Sequence, residues 1–242
     1  MSGPTDVVRV AYGDDPSQYA ELSRPERSQR GVVVVIHGGF WKPAYDLSLG
    51  RPLVPSLVAA GWAVWNLEYR RAGAAATLAD VAAGIDALAA VERLDLSSVV
   101  ALGHSAGGHL AAWSAARARA GGAPRVPVTA VISQAGVLDL RQAHADRLGG
   151  GAVEAFLGHP PGAGDADVDP IRQVPLGVPV WCVHARDDDT VPFSQSEAYV
   201  AAARSAGGTA ELVAVEGDHF VVIDPGSAAW ARTLEILAGL TT

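Results

Sequence analysis

Apolar and polar positions along this chain follow two periods, one that of strands and one that of helices. Residues 32–36, Val-Val-Val-Val-Ile, form an unbroken β-branched run, the pattern of a strand covered on both faces, as in a parallel sheet between helix layers. Apolar runs recur at 63–67, 99–102, 128–132, 178–183 and 210–215, and two shorter alternating stretches, 6–12 and 18–22, precede a polar, arginine-rich turn at 24–30. Together they predict about eight strands, the first two near an edge.

The intervals between the central strands carry the other period. Over 78–91, residues Leu78, Val81, Ala82, Ile85, Leu88 and Ala89 share one helical face, and Thr77 with Asp80 forms a Thr-x-x-Asp capping signal at the start. Further helices are expected at 51–60, 106–120, 194–205 and 227–238. Strand and helix therefore alternate, which predicts an α/β fold with a mostly parallel sheet and helices on both faces. Residues 136–177, rich in Gly, Pro and Asp with apolar patches at 137–140 and 153–157, break the rhythm. They read as a small cap-like excursion from the strand ends, equally describable as a surface loop with two short helices.

Composition narrows the picture. With 242 residues, 49% hydrophobic and 18% charged, the chain can bury a large core, and without repeats or a linker it reads as one domain over 1–242. A net charge of −8 and a single lysine, Lys42, leave no basic surface for a nucleic-acid partner. Cys182 is the only cysteine, so neither an intramolecular disulfide nor a cysteine zinc cluster is expected. No apolar run is long enough to span a bilayer, and residues 1–6 lack the basic and apolar regions of a secretory signal, so a cytoplasmic location is expected.

The candidate chemistry lies where strands end. Gly103-His104-Ser105-Ala106-Gly107 has the form G-x-S-x-G between a predicted strand and a predicted helix, a turn that exposes the serine hydroxyl and aims the Ala106 N–H at developing negative charge. A serine hydroxyl needs a general base. Of the seven histidines, His219 in Gly217-Asp218-His219-Phe220 follows the last strand. His104 and His109 flank the serine and read as packing or capping groups, His144 and His159 lie in the excursion, and His184 ends a strand in a structural role. The orienting carboxylate should follow the preceding strand, where Asp187, Asp188 and Asp189 crowd one loop. His37-Gly38-Gly39-Phe40-Trp41 follows the most apolar strand. The N–H groups of Gly38, Gly39 and Phe40, with that of Ala106, are candidates for an oxyanion hole, and His37 for a brace.

These motifs, with Glu68-Tyr69-Arg70, Gly108-His109 and Val191-Pro192, resemble the α/β-hydrolase superfamily, and within it the carboxylesterase and kynurenine formamidase (arylformamidase) group. The resemblance extends over most of the chain. It implies an α/β-hydrolase fold without a large lid and selects Asp188 as the triad acid, in the chain order Ser105, Asp188, His219. Asp187 and Asp189 are then turn formers or caps. The implied activity is cleavage of a small acyl group from an ester or amide through an acyl-enzyme, without metal or organic cofactor. The Asp-rich stretch 165–169 before Pro170 and Ile171 departs from the Ser-Pro that the group would have in that region.

Aromatic residues near the motifs, chiefly Trp41, Tyr69, Phe193 and Phe220, with Phe40 and Tyr45, are candidates to bind an aromatic small-molecule substrate, core packing being the plainer role for any one of them. For an anionic substrate, Lys42, Arg70 or Arg71 would pair with its carboxylate. Competing readings are a feruloyl-esterase-like or peptidase-type serine hydrolase and a catalytically silent binding module. A nucleotide-binding oxidoreductase is disfavoured by the lack of a G-x-G-x-x-G after the first strand and of a P-loop.

Overall fold

A computed structural model describes residues 7–26, 29–117 and 123–240. Residues 1–6, on which the expected lack of a secretory signal rests, part of the 24–30 turn and the end of the expected 106–120 helix lie outside these. The strands are β1 (Val7–Ala11), β2 (Tyr19–Ser23), β3 (Val32–Ile36), β4 (Ala63–Leu67), β5 (Val99–His104), β6 (Ala130–Gln134), β7 (Val180–Ala185) and β8 (Ala210–Val215). They form one sheet in the order β1-β2-β4-β3-β5-β6-β7-β8. β2 pairs antiparallel with β1 and with β4, and every pairing from β4 to β8 is parallel.

The helices are α1 (Val54–Ala59), α2 (Ala74–Asp86), α3 (Ala106–Ala116), α4 (Leu140–Ala145), α5 (Ala152–Leu157), α6 (Ser194–Ser205) and α7 (Ala228–Gly239). All five residues of β3 are buried, and they divide between two cores. Val32, Val34 and Ile36 pack with Leu78, Val81 and Ile85 of α2, Leu110 of α3 and Tyr199 of α6. Val33 and Val35 pack with Leu57 of α1 and Trp230 and Leu237 of α7. Such two-sided burial is why the run shows no polar alternation.

The Thr77 capping signal is corrected. The helix starts earlier, at Ala74, after Gly73 with φ 85°, a left-handed value that glycine adopts at little cost. Thr77 is buried and its hydroxyl donates to Arg70 O at 2.8 Å. Asp80 accepts both guanidinium contacts and the backbone N–H of Arg70. The helix also ends at Asp86 and tightens into a 3-10 turn over Ala87–Ala90, short of the expected residue 91.

The excursion does contain two short helices, α4 and α5. It is anchored by buried Val137, Leu138, Leu140, Val153 and Phe156 and by the Gln195 side chain, whose Oε1 accepts from the N–H groups of Leu138 and Asp139. Asp169, at the departure from Ser-Pro, is buried. Its Oδ1 accepts from Leu140 N at 3.0 Å, while Oδ2 has no partner among the described residues. Burial, joined by the charge of Asp139, outweighs the Leu140 hydrogen bond and pushes its pKa up to about 6.

Candidate active site

The candidate residues gather at the carboxyl ends of parallel strands, where α/β sheets form their sites. β3 leads into His37-Gly38, β5 into Ser105, β7 into the loop carrying Asp188, and β8 into the loop carrying His219. Ser105 has φ 56° and ψ −120° and caps α3, a strained backbone for a non-glycine residue that the surrounding structure must hold. Its N–H donates to Gln134 O at 2.8 Å, and its carbonyl accepts from Gly108 N at 2.9 Å, His109 N at 3.2 Å and Val137 N at 3.3 Å. The flanking glycines are set by contact: a Cβ at Gly103 would lie 2.0 Å from Gly107 O, and one at Gly107 2.0 Å from Ile36 O.

The loop after β3 closes against this elbow. A Cβ at Gly38 would lie 2.7 Å from His104 O and 3.0 Å from the Ser105 Cβ. Gly39, Phe40 and Trp41 follow with φ 108°, 52° and 55°, a left-handed run that reverses the chain beside the serine. The loop is braced from below. Both ring nitrogens of His37 face acceptors, Nδ1 to Gly38 O at 2.8 Å and Nε2 to Glu68 Oε1 at 3.2 Å. Its ring stacks on Tyr69, with centroids 4.4 Å apart. Burial raises the Glu68 pKa, but hydrogen bonds from His37 and from the N–H groups of Leu47 and Tyr69 bring it below the usual range.

On the acid loop, Asp188 Oδ2 accepts from His219 Nδ1 at 2.7 Å and from His184 Nε2 at 3.2 Å. Its Oδ1 accepts from the N–H groups of Thr190 at 2.9 Å and Val191 at 2.8 Å. Burial alone would raise its pKa, yet the hydrogen bonds from His184, His219 and Val191 prevail and hold the carboxyl well below the ordinary range. Asp187 and Asp189 are exposed. Of the three acids in this loop, Asp188 is the one that hydrogen-bonds His219.

His219 reaches the elbow through His104, whose Nε2 donates to His219 O at 2.9 Å while the two rings pack with centroids 4.5 Å apart. Burial and the nearby His219 push the His104 pKa down to about 3, against its hydrogen bond to His219 O, so His104 is a neutral strut at any ordinary pH. His109 is likewise buried and shifted down to about 4, with Nε2 donating to Val168 O at 2.9 Å. His184 and His104 carry more of the site than local packing roles imply. The signal in the sequence was their position, each near the carboxyl end of a strand that enters the site.

The aromatic candidates separate. Phe220 is 58% exposed and its ring centroid lies 5.2 Å from that of His219. Phe193 is half-buried, edge-on to His184 with Arg186 over its face. Trp41 is buried and stacked on Phe156. Tyr69 is corrected: it is fully buried, its hydroxyl donating to His37 O at 2.7 Å, and presents no surface to a substrate. Each of the cation candidates has a partner within the chain. Arg70 is paired with Asp80, Arg71 with Glu68, and Lys42 Nζ donates to Gly149 O at 2.8 Å. A groove of about 500 Å³ lies on the excursion between His144, Arg147, Gly151 and Glu154, and no residue of the elbow lines it.

Among the described residues, no group of three or more His, Cys, Asp or Glu side chains is arranged to hold a metal ion. Nor is any helix among them long and apolar enough to cross a membrane.

An eight-stranded, mostly parallel sheet with a serine elbow after β5 defines an α/β-hydrolase. The model of the BD-FAE family matches residues 21–202, and the chain belongs to that family. Among solved structures it is similar to a truncated carbohydrate esterase from gut microbiota, with 21% identity, a TM-score of 0.80 and 96% of this chain and 94% of that one covered. It is also similar to esterase 2 of Thermogutta terrifontis phosphonylated by sarin, with 24% identity, a TM-score of 0.77 and coverage of 97% and 92%. An acetyl ester-xyloside bifunctional hydrolase from Caldicellulosiruptor lactoaceticus aligns with 18% identity, a TM-score of 0.79 and coverage of 98% and 97%. At these identities the likeness carries the fold. No curated protein matches the chain in sequence.

Proposed function

We propose that this protein is a serine hydrolase of the carboxylesterase type, with Ser105 as nucleophile, His219 as general base and Asp188 as the acid that orients it. The observation that carries the reading is the 2.7 Å hydrogen bond from His219 Nδ1 to Asp188, beside a serine held at φ 56° on a strand-to-helix turn. With Nδ1–H committed to Asp188, the Nε2 lone pair is the one available to a hydroxyl proton.

In this mechanism His219 takes the proton of Ser105 as Oγ attacks the substrate carbonyl. The N–H groups of Gly38, Gly39, Phe40 and Ala106 supply the oxyanion hole, the loss of one such donor costing about 2.7–4 kcal/mol of barrier. Asp188 stabilises the imidazolium. His219 then protonates the leaving alcohol, and water attacks the acyl-enzyme by the same base to free Ser105.

The substrate is a small-acyl ester whose alcohol side meets Phe220. Acetyl and carbohydrate esters are the first to test, since neighbours of the same architecture carry those names. The formamidase reading is the weaker one, because Arg70 and Arg71 are already paired with carboxylates, which leaves only the exposed Lys42 of the three candidates to meet a substrate carboxylate. The test compares p-nitrophenyl acetate, an acetylated xyloside, a feruloyl ester and N-formylkynurenine, with fluorophosphonate labelling of parent and Ser105→Ala. Ester turnover and labelling, both lost in Ser105→Ala, are expected. An unlabelled, inactive parent would leave the binding-module reading, and turnover of the formamide alone would restore the formamidase.

A further inference from the structure

We propose that His184 is a positioning residue for the triad acid, presenting Asp188 to the base as an acceptor shared between two imidazoles. The catalytic consequence rests on the serine-hydrolase reading above; the geometry does not.

His184 is the penultimate residue of β7 and is fully buried, as is the Asp188 side chain. Its Nε2 faces two acceptors, Val191 O at 2.9 Å and Asp188 Oδ2 at 3.2 Å. A backbone carbonyl can only accept, so Nε2 must carry hydrogen and donate to both. Nδ1 lies 2.8 Å from Ser196 Oγ on α6, whose hydroxyl donates to the Nδ1 lone pair of this tautomer. The ring is thus fixed at both ends, and its direction is set by a carbonyl and a hydroxyl that do not take part in the reaction.

Asp188 consequently has every lone-pair direction filled: two backbone N–H groups at Oδ1, and two imidazole N–H groups at Oδ2. The His184 donor does two things. It holds Oδ2 in the direction from which His219 Nδ1 is met, and it draws off part of the charge that His219 would otherwise receive undivided. Without it the carboxylate rotates more freely, and when it does meet His219 it raises the proton affinity of that ring.

Among the described residues, other titratable groups lie on the elbow, beside His219 and on the acid loop. His104, from the elbow, packs on the His219 ring and stays neutral, its pKa being about 3. Asp218 is the chain neighbour of His219, and its carboxylate accepts from the N–H groups of Phe220 and Val221. Asp187, Asp189 and Arg186 on the acid loop are exposed.

The test uses His184→Leu, which removes both nitrogens, and His184→Gln, whose terminal amide can replace the Nε2 donor. In His184→Leu, kcat for p-nitrophenyl acetate should fall about tenfold, the rate equivalent of losing one hydrogen bond to a charged group. KM should hold, the acid limb of kcat/KM should move to higher pH, and the far-downfield Nδ1–H proton resonance of His219 should shift. His184→Gln should restore most of kcat and the parental limb. A parental limb and resonance in His184→Leu, whatever its kcat, would reduce His184 to space filling and overturn the proposal. If His184→Leu does not fold, Ser196→Ala removes only the hydroxyl at Nδ1 and should move the same resonance; an unmoved resonance again overturns it. Undiminished turnover in Ser105→Ala would instead sink the serine-hydrolase reading, and the resonance would still decide the role of His184.

Discussion

Gly38 stands so close to Ser105 that a methyl group on its Cα would come within 3.0 Å of the serine Cβ and 2.7 Å of the carbonyl oxygen of His104. Two loops from neighbouring strands meet there with no side chain between them. In the proposed mechanism this contact brings the backbone N–H groups of the β3 loop and of the start of α3 to one point above the serine.

The first prediction follows from that contact. In Gly38→Ala the new methyl group meets backbone rather than a movable side chain, so the two loops must separate. Thermal unfolding should show a loss of about 1–3 kcal/mol, the usual cost of overpacking. Turnover should fall more steeply than stability, because the oxyanion donors move with the loop. Parental kcat/KM in the folded variant would show that the loop is not part of the oxyanion site.

The three aspartates of the acid loop should respond unequally. Asp188→Asn keeps the shape but removes the charge that four donors address, and kcat should fall by about 10⁴, as when the wrong tautomer is imposed on a triad histidine. Asp187→Asn and Asp189→Asn, both at exposed positions, should retain most activity. Steady-state kinetics on the three purified variants decide the assignment, and equal losses would dissolve it.

Asp169 should make stability depend on pH in the direction opposite to an ion-paired carboxylate. Its folded pKa of about 6 lies above the ordinary carboxylate value, so the native state binds the proton more tightly. The penalty is absent below about pH 4, grows as pH rises through 6 and reaches about 2–3 kcal/mol above 7. Asp169→Asn should therefore melt higher than the parent at pH 8, with the gap closing at pH 4. A gap independent of pH would contradict the buried charge.

Removing the Tyr69 hydroxyl tests the brace below the oxyanion loop. Tyr69→Phe leaves the buried His37 carbonyl without the 2.7 Å hydrogen bond it accepts, a loss of about 1–3 kcal/mol in stability. The KM for every ester should stay near parental, since Tyr69 has no exposed surface. A selective change in KM for aryl esters would return Tyr69 to the pocket.

Phe220→Ala should do the reverse. At 58% exposure the ring contributes little to the fold, and melting should be unchanged. KM for aryl or glycoside esters should rise about 2–10-fold, the worth of one aromatic contact, with methyl esters affected less.

Much of this architecture was legible in the residues alone, and the exceptions share a cause. The expected ends of β5, β6 and β7 at 102, 132 and 183 each fall two residues short of the observed His104, Gln134 and Ala185. The missing residues include His104, Ser133, Gln134 and His184, all buried. A polar side chain at a strand end reads as the start of a loop, and only the three-dimensional site shows that it is buried. The Thr77 signal misled for the same reason: Thr77 and Asp80 serve Arg70, whose position no helical period reveals. The elbow and the His-Gly-Gly loop could be read because each depends on backbone geometry that few residue types tolerate, whereas Asp188 was distinguished from its two neighbouring aspartates only by the family resemblance. The partners of Lys42, Arg70 and Arg71 lay beyond reach, since charged residues look alike until their neighbours are known.

Lys42 carries the only side-chain amine in the sequence, exposed yet hydrogen-bonded to Gly149, and it follows directly on the loop that faces Ser105. Any amine-directed chemistry, from coupling to a solid support to cross-linking, has this one side-chain target. Such reagents would sever the tie between the Gly-Gly loop and the excursion, so a conjugate made through lysine is a modified catalyst, and an attachment point for an unperturbed one has to be engineered elsewhere.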